Sequence, residues 1–159
     1  VEKKKLVLRS GAKNGDLIFV TGALGGSIKK RHLNFMPRVR EAREILKHFK
    51  INSMIDISDG LALDLNRILE ASGVGAVIYE NAIPLSRDAA SINGALYDGE
   101  DYELLFTSSE GNRDRIASLS KALGLRITPI GRITGGKRLK VIDKEGRPYR
   151  LKSPGFEHF

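Results

Sequence analysis

The sequence has no cysteine and no tryptophan. Disulfides, thiolate metal sites and a cysteine nucleophile are thereby excluded. Histidine is scarce: His32, His48 and His158 are the three present, and no HxxxH pair occurs, so a histidine-rich zinc site is not expected. No apolar run approaches the roughly 20 residues of a membrane-spanning helix. No signal-peptide pattern opens the chain. A soluble, cytoplasmic protein is the expectation. What remains is 159 residues, 41% hydrophobic and 29% charged. That is an ordinary globular composition, with length for one domain and a core that needs no staples. The first residue is Val1, followed at once by the charged run Glu2-Lys3-Lys4-Lys5, which predicts further sequence upstream.

The net charge of +8 is unevenly placed. Residues 1–50 hold 13 Lys and Arg against 4 Asp and Glu, residues 51–110 hold 2 against 11, and residues 111–159 hold 12 against 4. An acidic middle lies between two basic flanks. The flanks can be read as solvated surface or as a nucleic-acid surface. Against the second stand an aromatic content of 6% and the lack of any nucleic-acid-binding motif, so nucleic acid is not expected as a partner. A third reading uses the alternation itself: carboxylates hold a divalent metal while the flanks hold phosphate, as in a nucleotide-phosphate enzyme.

Periodicity and punctuation predict alternating elements. Leu17–Thr21 reads as a strand, entered from Asn14-Gly15-Asp16 and left through Gly22, Gly25 and Gly26. Pro37 suits a first helical turn, and Val39, Ala42, Ile45, Leu46 and Phe49 then predict a helix over about 38–49. Met54–Ile57 reads as a buried strand. Leu61, Leu65, Ile68 and Leu69 share one helical face that Gly73 ends. Gly75–Tyr79 reads as a strand, 86–93 as a short helix, Tyr102–Thr107 as a strand and Asn112–Leu123 as a helix stopped by Gly124. Arg126–Ile133 and Arg138–Ile142 read as two strands around Gly135-Gly136, expected to pair as a hairpin. Residues 144–159 read as irregular. The fold class is α/β (α+β): a mixed β-sheet layered with α-helices.

Four segments can carry chemistry. Asp56-Ile57-Ser58-Asp59-Gly60 joins a strand end to a helix start. Its two carboxylates suit a hard cation such as Mg²⁺, which takes one or two carboxylates plus substrate phosphates, and the helix start favours phosphate. The plainer reading is an N-cap at Ser58 or Asp59. Gly99-Glu100-Asp101-Tyr102-Glu103-Leu104 adds three acids; alone it reads as a solvated turn with Glu103 on the outer face. Arg9–Asp16 with Thr21–Gly25 could cradle a polyphosphate, or be a turn and a loop around a strand; no GxxxxGK[ST] occurs. The ending Pro154-Gly155-Phe156-Glu157-His158-Phe159 packs on the body or walls a pocket.

Taken in order, RSGAKNGD with TGALG, MIDISDGLALD, GEDYELLFT and GFEHF resemble the C-terminal half of the thiamine-monophosphate kinase family, within the aminoimidazole-ribonucleotide synthetase-like superfamily. The resemblance covers essentially the whole chain. It implies the C-terminal-domain fold of that superfamily, with residues 1–159 as one domain of a longer two-domain enzyme whose N-terminal metal- and ATP-binding domain is not in this chain. It implies a phosphotransferase: ATP and thiamine monophosphate give thiamine diphosphate and ADP, with Mg²⁺ as cofactor. It implies roles also: Asp56 and Asp59 for Mg²⁺, Ser58 and Arg9 for ATP, Glu100 for the thiamine phosphate and Phe156 against the substrate ring. No catalytic base is assigned. Asp98 stands where the family usually has a glycine before the Glu. The expected partners are the N-terminal domain and a second copy in a homodimer, with no membrane. The isolated chain is expected to be inactive. The alternatives are another synthetase or kinase of the superfamily, or a non-catalytic phosphate- or nucleic-acid-binding domain.

Overall fold

In the chain's computed structural model, which describes residues 6–26 and 37–151, Leu17–Thr21 forms strand β1 and is buried along its whole length. Burial on both faces explains why its five residues carry no alternation. Leu17 and Phe19 face one core and Ile18 and Val20 the other. The other elements are α1 (Val39–His48), β2 (Ile51–Asp56), α2 (Leu61–Ser72), β3 (Gly75–Tyr79), α3 (Ile92–Tyr97), β4 (Leu104–Ser108), α4 (Arg113–Leu123), β5 (Ile127–Thr134), β6 (Leu139–Ile142) and β7 (Pro148–Tyr149). They build a seven-stranded sheet in the order β2-β4-β1-β5-β3-β6-β7.

Helices cover both faces. Ile45 of α1 and Ile116 of α4 pack with Phe49, Leu17, Phe19 and Phe106 on one side. There the Phe19 and Phe106 rings stack with centroids 5.3 Å apart. Leu61, Leu65, Ile68 and Leu69 of α2 and Ala95 and Leu96 of α3 close the other side over Ile18, Val20, Ile78 and Leu105. Each large apolar side chain buried in these layers contributes about 1.5–3 kcal/mol before entropy is counted. Gly73 and Gly124 end α2 and α4 in the left-handed conformation, as their sequence positions predict. Among the described residues no helix is long and apolar enough to cross a membrane.

The mixed sheet matches the expectation; three details do not. β5 and β6 do not form a hairpin. β3 lies between them, antiparallel to β5 and parallel to β6. The 135–138 connection steps over the start of β3, where a side chain at Gly75 would meet Gly136 and Arg138 backbone at 2.7–2.9 Å. The short helix lies at Ile92–Tyr97 rather than 86–93. Residues 84–86 are drawn out instead against Leu24, whose N–H bonds Pro84 O and whose carbonyl accepts from Ser86 N. The stretch after residue 144 is not wholly irregular, since β7 pairs with β6.

Candidate functional site

β2 ends at the exposed Asp56, opposite Leu104 of β4, and the chain turns through Ile57-Ser58-Asp59-Gly60 into α2. Gly60 holds φ 104°, and a Cβ there would meet Leu96 O at 2.9 Å, so this corner requires glycine. Neither Ser58 nor Asp59 caps the helix; the N-cap position is Gly60, with no side-chain cap bond. The turn is held from inside α2. Asp64 is fully buried, and its Oδ2 accepts the N–H groups of Ser58 and Asp59, both at 2.9 Å. Arg67, one turn further on, donates from Nη1 to Asp64 Oδ1 at 2.6 Å and to Asp59 Oδ2 at 2.5 Å. The hydrogen bond from Arg67 holds the Asp59 carboxyl below the usual carboxylate range, and the same contact raises Arg67. Asp59 is a carboxylate already matched to a cation.

The second acidic segment lies directly against this turn. Ile57 N donates to Glu103 O, Tyr102 N to Ile57 O and Glu100 N to Ser58 O, all at 2.8 Å. A side chain at Gly99 would collide with the Ser58 carbonyl, so glycine is needed for this approach. Glu100 and Tyr102 both carry positive φ, 67° and 50°. Strain of this kind, about 1 kcal/mol or more per residue, persists only where the surroundings fix the backbone. Glu100 is thereby fixed beside Ser58 and Asp59.

The alternate acids turn the other way, into the third segment. Asp101 is buried and accepts from Gly25 N at 2.9 and 3.1 Å. Glu103 is buried, not on an outer face. It accepts from Thr21 Oγ1 at 2.6 Å and from Arg38 Nε and Nη2 at 2.9 and 2.8 Å. The Glu103 contact raises the Arg38 guanidinium. Gly25 N therefore points at a carboxylate of this chain. The N–H groups of Gly11 and Ala12 go to Ser72 Oγ at 3.1 Å. These three amides are structural bonds, which favours the plainer reading of both glycine segments.

Arg9 lies exposed beside β2, where Leu8 O accepts from Met54 N at 3.0 Å. Phe156 lies outside the described residues. The structure thus brings Ser58, Asp59 and Glu100 together, sets Asp56 at the strand end before them, and leaves the Arg9 backbone on the flank of the same strand. Sequence reasoning missed Asp64, Arg67 and Arg38. The i,i+3 spacing of Asp64 and Arg67 was a readable signal; Arg38 had none. A cleft of about 350 Å³ opens between α1 and the β2–β4 edge, lined by Val39, Arg43, Leu46, Asp56, Tyr102 and Leu104 among others.

Among the described residues no group of three His, Cys, Asp or Glu side chains gathers closely enough to hold a metal alone. The nearest carboxylates are Asp56 at the strand end and Asp59, which already draws a cation. That chemistry fits a Mg²⁺ ion completed by phosphate oxygens and water.

The AIR synthase related protein, C-terminal domain family matches residues 11–144. The thiamine-monophosphate kinase of Rhodopirellula baltica is 36% identical over 160 residues, covering 95% of this chain and 50% of that protein. The crystal structure of thiamine-monophosphate kinase from Stenotrophomonas maltophilia K279a superposes with a TM-score of 0.81 at 29% identity, covering 89% of this chain and 54% of that one. AaThiL complexed with AMPPCP and TMP gives a TM-score of 0.76 at 31% identity, over 96% of this chain and 54% of the other. The chain spans about half the length of the curated relatives it matches.

Proposed function

Because this chain belongs to the AIR synthase related family, as its C-terminal domain, we propose that it forms the C-terminal part of a kinase that phosphorylates thiamine monophosphate. ATP is the donor, and the products are thiamine diphosphate and ADP. The observation that carries the reading is the backbone pairing of the DISDG turn with the GEDYEL segment, which puts Glu100 beside Ser58 and Asp59. Its support is the name shared by relatives 33–39% identical to this chain, and one solved relative complexed with AMPPCP, an ATP analogue, and TMP.

Asp56 and Asp59 would hold Mg²⁺, Ser58 and Arg9 the ATP phosphates, Glu100 and Phe156 the thiamine monophosphate. Bound Mg²⁺ would offset the polyphosphate charge that builds up during transfer. The protein's own part is positioning. Asp64 fixes the Ser58 and Asp59 amides, so the carboxylates keep their direction when phosphate arrives. Arg9 adds a cation on the flank where an anionic tail would lie. The thiazolium ring is cationic, so the Glu100 carboxylate and an aromatic face at Phe156 both attract it, the latter by about 0.5–2 kcal/mol. No side chain is assigned as a base, since phosphoryl transfer depends chiefly on alignment and charge. An N-terminal domain completes the site, the enzyme works in the cytoplasm, and a second copy pairs with it as a homodimer.

The test is phosphate transfer from MgATP to thiamine monophosphate by the intact gene product, with Asp59→Asn in parallel. Wild type is expected to form thiamine diphosphate. The variant is expected to lose at least about 100-fold in kcat, the scale on which a single charge-stabilising group acts. Folded wild-type protein that forms no thiamine diphosphate would leave only the family and reopen the substrate.

A further inference from the structure

Arg67 and the metal-side carboxylate it covers carry one step more. The guanidinium meets Asp59 at Oδ2, and it is anchored from behind by the buried Asp64. Asp64 cannot release it cheaply, because a buried carboxylate that loses its cationic partner keeps its charge without compensation. Asp59 is different: its side chain is 50% exposed, and Arg67 is 35% exposed. The pair is therefore firm on the Asp64 side and open to water on the Asp59 side.

We propose that Arg67 is a resident cation that competes with divalent metal for Asp59 and yields it only when a polyphosphate arrives. The inference rests on the metal reading of the DISDG turn and gives it a regulatory residue. A bare divalent ion approaching Asp59 meets a fixed positive charge and a carboxylate already satisfied. A nucleotide changes both terms. Its phosphate oxygens suit the planar guanidinium fork as well as a carboxylate does. Arg67 can then turn from Asp59 to phosphate while keeping its bond to Asp64. Metal capture at the turn becomes conditional on nucleotide. Both carboxylates are reached by the single nitrogen Nη1, so lysine keeps the charge and the donor for them and lacks only the second nitrogen that a phosphate would use. Arg67 is thus a positioning residue: it acts through Asp59.

The experiment measures Mn²⁺ binding to the intact gene product by the loss of the free-ion paramagnetic resonance signal, with and without AMPPCP. Wild type is compared with Arg67→Gln, Arg67→Lys and Asp59→Asn. Glutamine keeps a donor for Asp64, so the turn retains its support. Without nucleotide, Arg67→Gln is expected to bind Mn²⁺ about five- to tenfold more tightly than wild type at the Asp59-dependent site, the effect of removing one close charge near the surface. Arg67→Lys is expected to stay within about twofold of wild type. With AMPPCP present, the gap between Arg67→Gln and wild type is expected to close. Equal or weaker Mn²⁺ binding in Arg67→Gln, while wild type shows an Asp59-dependent site with AMPPCP, overturns the competition and leaves Arg67 a brace. An Asp59-dependent site missing from wild type even with AMPPCP overturns the metal reading itself, and this inference with it.

Discussion

Glu103 accepts hydrogen bonds from Thr21, more than 80 positions upstream, and from both ends of the Arg38 guanidinium fork. Its neighbours along the chain say nothing of this. In a run of acids it reads as solvated, whereas the fold buries it beneath Gly22, where a Cβ would collide with its carboxylate. Removing Arg38 leaves that charge with one hydroxyl partner. Arg38→Ala is expected to destabilise the protein by about 2–4 kcal/mol, below the upper end for buried pairs because Arg38 keeps some solvent contact; the midpoint of urea unfolding measures it. The same contrast separates the site residues. Asp56, Ser58 and Asp59 were legible because chemistry and spacing sit together in five consecutive positions. Asp64 and Arg67, which hold that turn, show in the sequence only the spacing of a helical ion pair, not what the pair would hold. Their role exists only once α2 folds back beneath the loop.

Elements whose signals are local were read to within a few residues: β1 from its short apolar run, α2 from its face and Gly73, α4 from its face and Gly124. Elements decided by distant partners were not. Nothing near Gly135-Gly136 announces that β3 will separate β5 from β6, since the information lies 60 residues upstream at Gly75. The α3 helix starts late because residues before it are claimed by the Leu24–Gly26 loop, whose Gly26 leaves no room for a Cβ against Asp88. A close element contact lies at Gly131 of β5, paired with Ile18 on one side and Ile78 on the other. A Cβ there would collide with the Val77 carbonyl. Gly131→Ala is expected to push β3 away from β5 and cost about 3 kcal/mol, at the severe end for overpacking. Thermal unfolding of the variant checks it, and a loss under about 1 kcal/mol would mean that the strands slide apart freely.

Across the whole molecule, the two cores lie back to back through one sheet and hold the candidate turn at its rim. The acidic middle of the sequence is partly spent on internal pairs, since Asp64, Asp101 and Glu103 are buried. The carboxylates left near the surface at the turn are too few to hold a metal alone among the described residues. Purified by itself, the 159-residue chain is therefore expected to unfold in one cooperative transition yet form no detectable thiamine diphosphate. Turnover by the lone chain would refute the proposed division of the site between two domains. The sheet order has a consequence for how the protein is made. β1 pairs with β4 and β5, β2 with β4, and β3 with β5 and β6. None of the first three strands pairs with another of the three. A ribosome that has released the chain through Tyr97 has delivered three strands and three helices, but not one ladder of the final sheet. β1 and β2 wait for β4 to complete their ladders and β3 waits for β5, so the sheet forms late and from distant parts. Such topologies fold slowly, and exposure to aggregation is concentrated in the interval between the emergence of β1–β3 and that of β4 and β5.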